Sequence, residues 1–168
     1  VSSTTKTRSG VERGHGAWLI RPARAEDVPA IAASVSSLLV ELGGTPPELA
    51  AMEATARQLV WDEIAGSVLV AEAEQTLIGL LAASWQTAIH TPGRYALIQD
   101  LWVDLRWRGQ AVGAALVTAL CELARERGVA RIEVGLPRRS FAAFAATEAF
   151  YLREGFADIG PRMRKVLT

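Results

Sequence analysis

Lysine is almost missing from this chain. Only Lys6 and Lys165 occur, and arginine carries nearly all of the positive charge. Lys plus Arg, at 18, equals Asp plus Glu, at 18, so no global field favours nucleic acid or an acidic membrane. A single cysteine, Cys121, excludes an internal disulfide. It lies in mid-helix with no histidine near it in sequence, and it reads as a small buried hydrophobe rather than a nucleophile. No metal site is expected. No run of about 18 apolar residues appears, so no segment is expected to span a membrane. The first residues also lack an apolar signal core, and a cytoplasmic location is the simplest expectation. The abundance of arginine and alanine points to a GC-rich genome and bears on codons, not on function.

Of the 168 residues 50% are hydrophobic, enough for one domain with a substantial core. Residues 1–16 are polar and aperiodic and are expected to be a disordered leader, with Val1 a literally translated alternative start codon and His15 exposed. Residues 17–168 are expected to form a single domain. Trp18 to Arg21 reads as a first strand. A helix starts near Glu26 and Asp27, with Ile31, Val35, Leu38 and Leu39 on its apolar face. The break Gly43-Gly44-Thr45-Pro46-Pro47 precedes a second helix from about Glu48 to Ile64. Ser67 to Ala73 and Thr76 to Trp85 read as a hairpin turning at Glu74-Gln75, and 86–94, with His90, Pro92 and Gly93, as a loop.

The most informative stretch is I-Q-D-L-W-V-D-L-R-W-R-G-Q-A-V-G-A-A-L, from Ile98 to Leu116. A strand from about Tyr95 to Val103 runs through a basic turn at Arg106 to Gln110 into a helix over 111–127. Val112, Ala115, Leu116, Ala119, Leu120 and Leu123 fall on one face of that helix. The first helical N–H groups have no intrahelical partner, and together with the helix dipole they suit a phosphate. Gly109, Ala111, Gly113 and Ala114 leave that backbone approachable, and Arg106 and Arg108 add charge nearby. The spacing matches neither a dinucleotide fingerprint nor a triphosphate loop. Val129 to Gly135 then reads as a strand parallel to 95–103, Phe141 to Arg153 as a helix, and Arg162 to Leu167 as a final strand.

Gln110-x-x-Gly113-x-Ala115 resembles the (R/Q)-x-x-G-x-(G/A) signature of the GNAT superfamily of N-acetyltransferases. A-F-Y-L-R-E-G-F, from Ala149 to Phe156, is similar to that family's A-x-x-(L/F)-Y-x-x-x-G-F ending. The element order β-α-α-β-β-β-α-β-α-β from Trp18 to Leu167 is also the family's. The resemblance implies an α/β (α+β) three-layer fold around a mixed, mostly antiparallel sheet, with a central parallel pair splayed for acetyl-CoA. The chain departs from the pattern at Thr147, where Ala is usual, at Phe144, where Asn is common, and in the long segment from Gly135 to Ala146. Ser140 is a candidate replacement for the missing Asn.

The resemblance further implies a bacterial, acetyl-CoA-dependent transferase moving acetyl to a primary amine, expected to be that of a small molecule, in a ternary complex. An acceptor on a protein N-terminus or lysine, or a non-catalytic acyl-CoA-binding domain, are the alternatives, and a homodimer is compatible with it. Leu101, Trp102 and Val103 would bond the pantetheine arm and polarise the thioester. Arg108, Gly109, Gln110, Ala111, Val112, Gly113 and Ala114 would seat the pyrophosphate. Tyr151 would be the general acid toward the thiolate, and is otherwise a core aromatic. Related strand patterns read L-E-D-L-x-V, but Gln99 cannot take a proton. Asp100 remains as a base candidate, provided a bulge turns it toward substrate; otherwise it caps the turn, and a water chain or direct capture of an already neutral amine would also serve. Trp85 and Trp102 wall the acceptor pocket or belong to the core, His90 is a base, a substrate contact or, as the favoured reading, a plain loop residue, and Glu41 with 43–47 shapes specificity.

Overall fold

A computed structural model of the chain describes residues 13–14, 18–89 and 91–165. Strands β3 (Gly66–Ala73) and β4 (Thr76–Ala88) form the expected hairpin. Glu74 and Gln75 both take positive φ, 47° and 60°, the twist at which a two-residue turn lets its strands pair. The ladder continues from β4 into β5 (Thr91–Val103), also antiparallel. This corrects the loop expected over 86–94: Gln86 pairs with Tyr95 and Thr87 with Arg94, so the two strands run on almost to the turn. Pro92 and Gly93 mark irregular pairing near the turn rather than a long loop. His90 lies outside the described residues.

Strands β1 (Arg13–Gly14) and β2 (Leu19–Pro22) precede this hairpin, and β6 (Ile132–Val134) follows, giving a six-stranded sheet in the order β1-β2-β3-β4-β5-β6. Every pairing is antiparallel except β5 with β6. Arg13 and Gly14 thus belong to the sheet, while the rest of the expected leader lies outside the described residues. Helices α1 (Val28–Glu41) and α2 (Leu49–Trp61) cover one face of the sheet, where Val28, Ile31, Ala56 and Val60 pack on Val68, Val70, Leu80 and Ala82. Helices α3 (Val112–Glu126) and α4 (Phe144–Arg153) cover the other, where Leu116, Leu120 and Tyr151 pack on Leu69, Leu81, Ala83 and Ile98. This is a mixed α/β fold of three layers. Among the described residues no helix is long and apolar enough to cross a membrane.

Three expected elements are shorter, and one does not form over the described part of its range. The second helix, expected to run to Ile64, ends at Trp61 and leaves Ile64 exposed. The strand expected over 129–135 pairs only at 132–134, and the helix expected from Phe141 begins at Phe144. The strand expected from Arg162 to Leu167 is absent through residue 165, and 166–167 lie outside the described residues. Alternation alone does not make a strand, because a ladder partner is also needed. Here Asp158 accepts from the Gly160 N–H at 2.8 Å in a local turn, Pro161 has no N–H to give, and Arg162 lies against Gly135 instead.

Strand β2 is fastened by Arg21, which is only 7% exposed. Its guanidinium donates to Asp27 at 2.7 and 2.9 Å and to Glu72 at 2.7 Å, joining β2 to the start of α1 and to β3. Burial pulls the Asp27 carboxyl upward, but hydrogen bonds from Arg21 and the Arg24 N–H overcome this and hold it below the ordinary range. Asp27 therefore adds stability at neutral pH that is lost as pH falls through its lowered pKa. Replacing Arg21 with Met would strand two carboxylates. Urea unfolding at pH 7 should show a loss of about 3 kcal/mol, and the acid-side stability change assigned to Asp27 should shrink in the variant.

Candidate active site

The register of β5 against β4 slips by one residue at Gln99. Ala83 faces Ile98 and Ala82 faces Asp100, so Gln99 is an inserted bulge residue. Before it, Ala96 and Ile98 point into the α3/α4 layer, and after it Leu101 and Val103 do so. Asp100 and Trp102 are therefore turned to the α1/α2 face, where Trp102 packs with Val70, Leu80 and Ala82. The sequence carried a trace of this, since the apolar positions 96, 98, 101 and 103 break strict alternation once.

On its other edge β5 pairs with β6 only at Ala96, Leu97 and Ile98. Among the described residues no strand pairs with that edge from Gln99 to Val103, so the parallel pair parts where the bulge begins. Leu101, Trp102 and Val103 lie on this open segment. The Val103 carbonyl already accepts from Arg108 Nε at 3.0 Å.

Beyond β5, a short turn leads into α3. Asp104 accepts from the Arg106 N–H at 2.9 Å and pairs with the Arg106 guanidinium at 3.0 and 3.2 Å. Gln110 Nε2 donates to the Arg106 carbonyl at 2.8 Å, so its side chain ties the turn together. Gly109 has φ of 76° and Ala111 of 62°, a tight reversal that glycine adopts freely and alanine only under constraint. Ala111 offers no side-chain cap to α3, and the helical ladder begins with the Ala115 N–H donating to the Ala111 carbonyl at 3.0 Å. The N–H groups of Val112, Gly113 and Ala114 precede that first bond, as at the start of any helix. A Cβ on Gly113 would meet the Phe150 ring at 3.5 Å and Val103 at 3.8 Å, so a small residue keeps the space between α3, α4 and the end of β5. An uncapped helix start beside an open strand edge fits a long substrate with a pyrophosphate at one end.

Arg108 does not stand free at this turn. Its guanidinium is bidentate to Glu41, at 2.6 and 2.8 Å, at the last residue of α1. The hydrogen bond from Arg108 holds the Glu41 carboxyl below its ordinary range despite some burial. The pair brings the end of α1 to the helix-start turn. Nothing local in the sequence signals it, because the partners are 67 residues apart.

Asp100 is half-buried, and desolvation pushes its carboxyl above the ordinary range. Tyr151 is 8% exposed, with edge contacts to Phe150 and Phe156 at ring distances of 5.1 and 5.3 Å. Burial pushes its phenol up to about 12. It lies in the layer that receives Leu101, Val103 and Val134, on the side of the sheet opposite Asp100. A desolvated carboxyl and a protonated phenol thus lie in the two layers either side of the parted strands. Trp85 is not near the α1/α2 face: it is buried in the α3/α4 layer under the Arg127 guanidinium, 5.1 Å from the ring centre. Ser140 lies in an exposed turn. Cys121 is half-buried on α3, and desolvation raises its thiol pKa, as for an inert side chain.

A model of the acetyltransferase (GNAT) family matches residues 37–156. No curated protein matches the chain in sequence. Among solved structures, it is similar to a possible acetyltransferase from Clostridium difficile 630, at 17% identity and TM-score 0.75 over 90% of this chain and 98% of that one. A ribosomal-protein-alanine N-acetyltransferase from Brucella melitensis biovar Abortus 2308 is 21% identical, TM-score 0.65, over 90% and 99% of the two chains. An aminoglycoside acetyltransferase from an uncultured soil metagenomic sample, in complex with sisomicin, is 19% identical, TM-score 0.69, over 90% and 97%.

The helix start offers a direct test. Ala114→Glu puts an acid in the first turn of α3, where it complements the dipole by about 0.3–1 kcal/mol. The variant should melt no lower than the parent, yet calorimetric titration with coenzyme A should show affinity lowered at least tenfold. Unchanged affinity would remove the pyrophosphate from this turn.

Proposed function

Since the chain belongs to the acetyltransferase (GNAT) family, we propose that it transfers the acetyl group of acetyl-CoA to a primary amine of a small molecule by direct attack in a ternary complex. The observation that carries this reading is the parting of β5 from β6 beside an uncapped helix, with Asp100 on one side of the sheet and Tyr151 on the other. Acetyl-CoA supplies an activated thioester. The N–H groups of Val112, Gly113 and Ala114 would hold its pyrophosphate. The open edge of β5 at Leu101 to Val103 would align its arm and polarise its carbonyl.

In the transfer the amine nitrogen forms a bond to the carbonyl carbon and the carbon–sulfur bond breaks. The proton lost by nitrogen passes to the Asp100 carboxylate and from there to solvent. The sulfur leaves as a thiolate, accepts a hydrogen bond from the Tyr151 hydroxyl, and regains one proton from solvent, so protons balance. Burial makes Asp100 a stronger base than an exposed carboxylate. Structures of similar fold include a ribosomal-protein-alanine N-acetyltransferase and an aminoglycoside acetyltransferase, so a protein and a small-molecule acceptor are both compatible with the fold. The smaller acceptor is favoured here because the bulge that presents Asp100 lies on a face closed over much of its area by α1 and α2.

Two variants test the roles. Asp100→Asn should lower kcat about 10²-fold or more and abolish the acid limb of the pH–rate profile, whose midpoint in the parent lies above the ordinary carboxylate range. Because a raised folded pKa means the ionised form destabilises the fold above the unfolded pKa, the same variant should melt higher at pH 7 and no higher near pH 3. Tyr151→Phe keeps the ring contacts and removes one hydrogen bond to a developing charge, so kcat should fall about 10- to 100-fold. Thiol release that both variants leave intact would overturn the assignment.

A further inference from the structure

Three uncharged polar side chains meet at one oxygen on the α1/α2 face. Ser84 Oγ accepts from Gln86 Nε2 at 2.8 Å and from Gln99 Nε2 at 2.8 Å. Ser84 stands between Ala83 and Trp85, which both point into the α3/α4 layer, so strand alternation directs it to the opposite face. Gln99 is the bulge residue, and its bond to Ser84 brings its amide to that face, next to Asp100 in sequence. Ala82, the partner of Asp100, lies two residues from Ser84 on the same face of β4. The Ser84 hydroxyl is therefore about 7 Å along the sheet from the Asp100 position.

The chemistry of this cluster is specific. A serine oxygen has two lone pairs, and both are engaged by amide N–H groups, so its own hydrogen remains to be donated. Each amide keeps its Oε1 and a second N–H. Gln99 is exposed and Ser84 and Gln86 are half-buried, so these groups are open to a ligand and are not needed to fill the core. The surface beside the proposed base offers two carbonyl acceptors and a hydroxyl donor, with no cation among them.

We propose that Ser84, Gln86 and Gln99 are the acceptor-recognition platform, selecting a hydrophilic amine whose hydroxyl or further amino groups lie across a ring or short chain from the reacting nitrogen. This rests on the acetyltransferase reading and deepens it. With nitrogen at Asp100, a six-membered ring with a polar substituent on its far side spans about the 7 Å to Ser84. An amine with a hydrocarbon body would cover these amides without satisfying them, and a site that hydrogen-bonds one substrate discriminates against its apolar analogue for that reason.

Acetyl transfer would be followed by thiol release with glucosamine and with cyclohexylamine at saturating acetyl-CoA. The parent should favour glucosamine in kcat/KM by at least tenfold. In Ser84→Ala and in Gln99→Leu the ratio should collapse by about tenfold, mainly through a higher KM for glucosamine. Neither variant should change the calorimetric affinity for acetyl-CoA, which depends on the start of α3 and on the backbone edge of β5 from Leu101 to Val103. Equal use of the two amines by the parent, an undiminished ratio in both variants, or preference for an N-terminal peptide amine over both would overturn the platform. Failure of the parent to bind acetyl-CoA at all would instead overturn the acetyltransferase reading, and the platform with it.

Discussion

The single inserted residue at Gln99 is the constraint on which the site depends. Without it, strict alternation from Ile98 would send Asp100 and Trp102 into the layer of Leu116 and Leu120, and would turn Leu101 and Val103 outward. An unpartnered carboxyl in that layer would be costly to bury, and two apolar side chains would be wasted on the other face. The bulge removes both penalties at once. It also lies where the parallel ladder with β6 stops, so one local irregularity presents an acid on one face and leaves a free backbone edge. Core packing and chemistry here are two consequences of the same register shift.

This explains what could and could not be read from the residues. The strand, turn and helix around Gln110 and Gly113 were legible because each is local: small residues permit the turn, and the 3.6-residue period of Val112, Leu116 and Leu120 marks the buried face. The side to which Asp100 turns was not legible, because a bulge is a relation between two strands and leaves only a single break in alternation. Ladder formation misled in both directions. Pro92 and Gly93 suggested a loop where strands pair almost to the turn, and the alternating residues after Arg162 suggested a strand where no partner stands beside them through residue 165. The Glu41–Arg108 pair joins residues 67 apart, and the convergence on Ser84 depends on how β5 pairs with β4, so neither shows as a local pattern.

The charges around the turn cancel in pairs. Arg106 is held by Asp104 and Arg108 by Glu41, so the guanidinium groups contribute little uncompensated field. Attraction for a phosphate at this place then rests on directed N–H groups at the start of α3. Such donors act over a hydrogen-bond length and favour a ligand seated in register, whereas free arginines would attract any anion. The Arg108 bond to Val103 reinforces this, since it fixes the turn to the end of the strand that would carry the thioester.

Burial acts on Asp100 and Tyr151 in the same direction and with opposite chemical effect. Raising a carboxyl makes its anion a better base, provided it still ionises near neutral pH. Raising a phenol to about 12 makes it a poorer acid, while a thiol near its reference value of about 8.5 holds its proton much less strongly. Complete proton transfer from Tyr151 to the departing sulfur would thus run uphill. A hydrogen bond that stays on the phenol has no such barrier, and it strengthens as negative charge gathers on sulfur in a site shielded from water. In the proposed transfer Tyr151 would therefore steady the thiolate rather than protonate it. As the proposed base, Asp100 would be under no such restriction, because an amine nitrogen becomes acidic as its bond to carbon forms.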